Sequence, residues 1–304
     1  MMSKRWFFLL TALLLGLTLA QDSQKRIITI SYDGGTRSAE NLRYGPYFYS
    51  HPDPKGIKAE VSNLFIEGQE AEFRAPEDTL MADAQGQREA DFYGGVEVNR
   101  DRLNATGLRL AYSEATGLGV MTAEDQVAIF IEPEEDDEEA AEIFADDVTF
   151  DVDTDMSVSR GNVRLLNGNT QAQADEITYE ELRDLAKLNS ENTQVTARRV
   201  NEDGELTITA DVLRVFTDTD RLYASGNVTL IDGDITTTGD EVFFDDEISR
   251  AEIFGSPAVS IDERYGVRLE GQRLEQRTDI DVVQVLDNSV PSEWRSEDFM
   301  LTGE

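Results

Sequence analysis

The chain has 304 residues, enough for one long domain or two ordinary ones, and 39% of them are apolar, which suffices for a core. Acidic residues number 62 against 27 basic ones, a net charge of -35, so the surface repels phosphates and nucleic acid is excluded as a partner. There is no cysteine, which excludes thiol catalysis, disulfide staples and Cys-based metal sites.

The N-terminus begins with Lys4 and Arg5, continues with the almost wholly apolar stretch Trp6 to Ala20, and reaches Gln21-Asp22. A charged start, an apolar run of ~15 residues and a small residue at the cut predict a cleaved signal peptide over 1–20, and a bilayer-spanning helix needs about 20. The alternative is an uncleaved N-terminal anchor. No cysteine stands at the cut, so a lipoprotein is excluded.

Residues 21–89 read as an atypical β segment. Ile27 to Ile30 has the look of a strand start, Asp33-Gly34-Gly35 is a turn signal, and Tyr44-Gly45-Pro46-Tyr47-Phe48-Tyr49 reads as a packed aromatic loop or cap. Lys58 to Arg74 alternates well enough for two strands, and Met81 to Gln87 for a turn. From residue 90 to 287 a repeat takes over. Gly161-Asn162-Val163-Arg164-Leu165 recurs 65 residues later as Gly226-Asn227-Val228-Thr229-Leu230. The same offset carries Ala145-Asp146 onto Ala210-Asp211, Asp175-Glu176-Ile177 onto Asp240-Glu241-Val242, and Tyr179 onto Phe244. Gly95-Val96-Glu97-Val98 and Gly107 to Tyr112 read as a drifted earlier copy. Fixed-period self-similarity predicts stacked units that cannot bury their apolar faces alone.

An acidic loop over 132–142 interrupts the repeat. Its charge density makes it a solvated loop or a linker, and its consecutive carboxylates lack the alternating spacing of a calcium loop. Within the copies the alternation has period two. Val148 with Phe150, Val163 with Leu165, Ile177 with Tyr179, Val228 with Leu230 and Val242 with Phe244 each share one face of a half-buried strand. Asn167-Gly168 and Asp232-Gly233 fall where two strands must turn. Glu180 to Leu188 is the one candidate helical turn, Gly255-Ser256-Pro257 breaks the second copy, and residues 288–304 carry no strand pattern and read as a loose tail. About four strands per period predict roughly 14 to 18 strands in all.

Chemistry-bearing constellations are few. His51 is the single histidine and sits in His51-Pro52-Asp53-Pro54, so neither a Ser-His-Asp triad nor a zinc site is expected. Asp151-Val152-Asp153-Thr154-Asp155 and Asp218-Thr219-Asp220 are the tightest carboxylate groups, and both fall at expected turns, where Asp caps backbone. No metal, cofactor or catalytic residue is expected, and the chain does not read as an enzyme.

The repeated phrase is Thr209-Ala210-Asp211-Val212-Leu213-Arg214-Val215-Phe216, then Leu222 to Leu230 through Gly226-Asn227-Val228, then Thr238-Gly239-Asp240-Glu241-Val242-Phe243-Phe244. It resembles the LptA/OstA family, the periplasmic lipopolysaccharide-transport and organic-solvent-tolerance domain, best over 144–262 and more weakly over 90–131. The resemblance implies an all-β fold: an elongated, twisted, partly open antiparallel β-jellyroll of repeated hairpins. It implies a periplasmic bridge protein that moves lipopolysaccharide or a similar envelope glycolipid to the outer membrane along an apolar groove. It also implies stacking on itself or on other jellyroll transport proteins, edge strand to edge strand. The groove-lining candidates are the ten alternating residues Val148, Phe150, Val163, Leu165, Ile177, Tyr179, Val228, Leu230, Val242 and Phe244. The N-terminal segment and acidic insert depart from the minimal family pattern, and the acidity is unusual for a carrier of anionic lipid. Two alternatives stand beside this reading: a structural or adhesive envelope β-repeat protein without lipid traffic, and a membrane-anchored LptC-like component.

Overall fold

The computed structural model describes residues 25–133, 139–201, 204–219, 221–286 and 292–304. The predicted signal peptide and the centre of the acidic loop lie outside the described residues. The chain forms two compact units: residues up to 127 with 147–155, and residues 128–146 with 156–304.

The described residues hold 21 strands, more than the expected number, joined by antiparallel pairings. In the first unit run β1 (Thr29–Ser31), β2 (Thr36–Ala39), β3 (Tyr47–Ser50), β4 (Ile57–Val61), β5 (Leu64–Gly68), β6 (Glu70–Arg74), β7 (Glu89–Arg100) and β8 (Leu103–Ser113). Lys58 to Arg74 thus spans parts of three strands rather than two. β9 (Leu118–Ile131) and β10 (Ala141–Asp151) contribute residues to both units. The second unit continues with β11 (Met156–Asn167), β12 (Thr170–Glu180), β13 (Leu185–Asn189), β14 (Val195–Asn201), β15 (Gly204–Ala210) and β16 (Val212–Phe216). It ends with β17 (Arg221–Asp232), β18 (Ile235–Asp245), β19 (Arg250–Asp262), β20 (Val267–Arg277) and β21 (Val282–Val285). The candidate helical turn is a single 3-10 turn, Glu181–Arg183, ahead of β13.

Long strands change partners halfway. Thr170 to Gln173 of β12 pair with β14, whereas Glu176 to Glu180 pair with β13. Thr229 to Asp232 of β17 pair with β15, whereas Leu222 to Val215 and its neighbours tie the first half of β17 to β16. β7 of the first unit divides its pairing between β5 and β6 in the same way. β7 and β17 carry a bulge at the crossing point, between Tyr93 and Val96 and between Ser225 and Val228, and for β12 the bulge lies on its partner β11, between Arg160 and Val163. A bulge bends a strand and sharpens its twist, which lets one strand serve two layers.

These bulges explain the repeat. Gly161-Asn162 and Gly226-Asn227 are mid-strand bulges with φ of 75° and 49° in one copy and 80° and 48° in the other. The Ala-Asp half of the phrase packs against them: Asn162 Nδ2 donates to Asp146 Oδ2 at 2.8 Å, and Asn227 Nδ2 donates to Asp211 Oδ2 at 2.8 Å. The Asp carboxylate lies where a side chain on the glycine would stand, 2.3 Å from an added Cβ at Gly161 and 2.4 Å at Gly226. Glycine is required twice over, by backbone conformation and by space. The hairpin turns fall where the sequence places them: Asn167 pairs with Thr170 across Gly168-Asn169, and Asp232 with Ile235 across Gly233-Asp234. Gly255-Ser256-Pro257 does not end a strand; it forms another bulge inside β19, between Phe254 and Ala258.

The C-terminal segment differs from the loose tail expected. Phe299 and Leu301 are buried, and Phe299 joins Tyr223 and Phe243 in an aromatic cluster bordered by Phe216, Phe254, Trp294 and Met300. Trp294 stacks on Phe243 at 5.8 Å with 14° between ring planes. Arg183 Nη1 donates to the Met300 carbonyl at 2.5 Å, and Glu304 pairs with Lys187 and Arg214. Tyr223 and Phe243 stand on the sheet face opposite Leu222 and Phe244, because side chains alternate along a strand. In this region both faces are apolar, and the tail covers the outer one.

Candidate functional site

The candidate site is the inner face of the second unit. Register places its side chains in cross-strand rows. One row runs Leu165, Ala172, Ala197, Ile208, Leu230, Thr237, Ser260. The row nearer the hairpin turns runs Asn167, Thr170, Arg199, Leu206, Asp232, Ile235. Beyond the bulges, Tyr179, Ala186, Val215, Leu222, Phe244 and Ala251 form a third. Residues of all three rows line one internal cavity: Leu165, Ala172, Ala197 and Ile208 from the first, Leu206 and Arg199 from the second, Val215, Leu222 and Phe244 from the third. The strand halves therefore face each other across an apolar interior.

All ten groove candidates are buried. Val148 and Phe150 belong to the first unit, where the Arg100 guanidinium lies 5.8 Å from the Phe150 ring centroid. The other eight belong to the second unit, and of these Leu165 and Phe244 line the cavity. Val163 and Val228 follow the two bulges directly. Tyr179 turns its hydroxyl to Asp184 Oδ1 at 2.7 Å, which anchors the turn before β13. The cavity's volume is ≈ 40 Å³. One water needs about 10–15 Å³ on this measure, so this is room for a few waters and far below the ~300 Å³ of a small-molecule site.

Polar groups collect at the turn end of the interior, and sequence reading missed them. Arg199 is buried, pairs with Asp246, and holds its guanidinium 5.3 Å from the Phe244 ring centroid. Thr237 Oγ1 donates to Gln276 Oε1 at 2.7 Å and Gln276 Nε2 donates to Asp232 Oδ2 at 3.0 Å. Burial pushes the Asp232 carboxyl above the usual aspartate range, against the pull of its Gln276 hydrogen bond. The alternation Val195, Ala197, Arg199 on β14 was the available signal for Arg199; it breaks the apolar face with a cation. A second cleft of ≈ 560 Å³ lies outside the interior, beside Phe216, Trp294 and Phe299, and its walls carry Arg221, Asp245 and Glu247. Among the described residues no group of His, Cys, Asp or Glu has metal-holding geometry, and no helix is long and apolar enough to cross a membrane.

Comparison with known proteins follows the same segment. Residues 142–279 match the family model described as "LptA/(LptD N-terminal domain) LPS transport protein". Comparison with curated proteins found no match. Among solved structures, the chain is similar to the crystal structure of LptH, the LptA-homologous periplasmic component of the lipopolysaccharide transport device of Pseudomonas aeruginosa. That similarity has 15% identity and a TM-score of 0.32, over 40% of this chain and 82% of that one. Over residues 142–279, with their antiparallel strands and paired bulges, the chain is similar to the LptA/OstA-like family.

Proposed function

We propose that this protein is a periplasmic carrier that moves lipopolysaccharide or a similar envelope glycolipid toward the outer membrane, holding its acyl chains between the two facing sets of strand halves. The observation that carries the reading is the largely apolar inner face within residues 142–279, the segment that matches a lipopolysaccharide-transport family. Acyl chains need an apolar trough, and period-two alternation along paired strands builds one. Val163, Leu165, Ile177, Tyr179, Val228, Leu230, Val242 and Phe244 supply inward-facing side chains of that trough, with Val148 and Phe150 continuing the same pattern in the first unit. Edge strands of one copy add to those of another, or to related jellyroll proteins, and extend the path. The N-terminal apolar stretch directs export and is removed.

One observation favours a second reading, a structural envelope protein with a sealed core: the cavity has room for only a few waters. Carriage then requires the facing strand halves to part. Mass spectrometry of lipid extracted from the purified, envelope-expressed protein separates the two. Carriage predicts a stoichiometric glycolipid or phospholipid; a sealed core predicts none.

A further inference from the structure

Arg199 stands out among the buried cations of the second unit. Three arginines there are buried: Arg199, Arg214 and Arg273. Arg273 pairs with Glu252 at 2.8 Å, and that glutamate is itself sealed from solvent. Arg214 pairs with Glu304 of the tail, on the outer face. Arg199 alone of the three lines the apolar cavity. Its partner Asp246 is different in kind: it sits in the turn after β18, and its side chain keeps 21% exposure against 6% for Arg199. The carboxylate is the more exposed of the two groups.

Burying a guanidinium costs several kcal/mol unless a partner compensates, and removing the partner leaves the charge stranded. A planar guanidinium takes carboxylate or phosphate through two parallel hydrogen bonds. We infer that Arg199 is the headgroup-recognising residue of the trough: an anionic amphiphile enters at the turn end, its oxyanion takes the place of the Asp246 carboxylate on Arg199, and its chain runs inward past Leu206, Ile208 and Phe244. The inference rests on the carrier reading above and adds to it the charge class of the cargo and the residue that selects it. It also answers the problem set by a net charge of -35, which repels anionic cargo at long range. A buried cation in the trough restores attraction at the one place where contact is made. Asp232, two positions along the same row, is a further carboxyl at this end, and it accepts its hydrogen bond from Gln276.

The test uses the full chain and two fluorophore-labelled probes that differ only in charge, dodecanoate and its methyl ester. Wild type is expected to bind the carboxylate about tenfold tighter than the ester, a difference set by one charge-assisted contact. Arg199→Gln is expected to erase that preference. Arg199→Lys, which keeps the charge and guards against a failure of Arg199→Gln to fold, keeps part of it. Asp246→Asn, by removing the competitor, is expected to tighten the carboxylate. A carboxylate preference that survives Arg199→Gln, or that weakens in Asp246→Asn, overturns the role of Arg199 while leaving carriage standing. Binding of neither probe to wild type overturns the role of Arg199 together with the carrier reading.

Discussion

Gly226→Ala probes the bulge clasp that makes the repeat. Gly226 has φ of 80°, so any side chain there meets the left-handed penalty of about 1–2 kcal/mol. The added Cβ lands 2.4 Å from Asp211 Oδ2 and 2.9 Å from its Cγ, so the carboxylate must move and its hydrogen bond from Asn227 is lost, worth about 0.5–1.5 kcal/mol. The sum is roughly 2–3 kcal/mol, which in a unit of this size lowers the melting temperature by roughly 5–10 °C. Gly233→Ala is the internal control: its φ is 54° and an added Cβ meets nothing within 4 Å, so it pays the backbone term alone. Thermal and urea melts followed by circular dichroism give both values. In an Asp211→Ala background the extra loss at Gly226 disappears, because the obstructing carboxylate is gone. Equal losses for Gly226→Ala and Gly233→Ala, or an extra loss that persists without Asp211, refutes the clasp.

The tail and the interior give further predictions. Phe299→Ala is expected to destabilise by about 3–5 kcal/mol, the usual range for a buried phenylalanine, and to shift Trp294 emission to the red; an unchanged melt shows the tail is dispensable. Burial pushes the Glu304 carboxyl up, but hydrogen bonds from Lys187 and Arg214 outweigh it, and its pKa lies below the ordinary value. A lowered folded pKa contributes stability above the unfolded value and loses it as pH falls through the folded one, so the tail should release in acid below the usual glutamate range. Glu304→Gln should flatten that transition in Trp294 fluorescence. Asp232 has the opposite sign: its pKa is raised by burial, so its contribution is present at acid pH and lost as pH rises through the folded value. Asp232→Asn keeps an acceptor for Gln276 and should raise stability at neutral pH relative to wild type while changing it little in acid. A loss at neutral pH would show that the charged carboxylate is needed.

Much of this architecture was legible in the sequence because it depends on local pattern. Period-two alternation found the inward residues, from Val163 to Phe244, and the Gly168 and Gly233 turns lie where Asn-Gly and Asp-Gly point to them. The repeat itself was visible, but its cause was not: alternation alone does not mark Gly-Asn as a break, and only the approach of Asp146 or Asp211, 15 residues before the glycine, shows what the bulge is packed on. The tail was missed for a similar reason. Trp294 and the triplet Phe299-Met300-Leu301 carry no strand period in a polar stretch, and the partners Tyr223 and Phe243 lie on a strand face that alternation assigns to solvent. Arg199 was missed because a cation on an apolar face reads as surface until cross-strand register puts it between Thr170 and Leu206. Splitting of one face between two layers also raised the strand count, since β13 to β16 are short pieces that each serve one half of a longer neighbour.

The central claim is that an envelope lipid occupies the interior of the second unit. Photo-crosslinking in living cells tests it most directly, with a photoreactive amino acid placed singly at Leu230, at Phe244, and at exposed Ile231 on the opposite strand face as control. The account predicts lipid adducts at Leu230 and Phe244 and none at Ile231. Absence of adducts at both interior positions, in protein that is folded and exported, contradicts it.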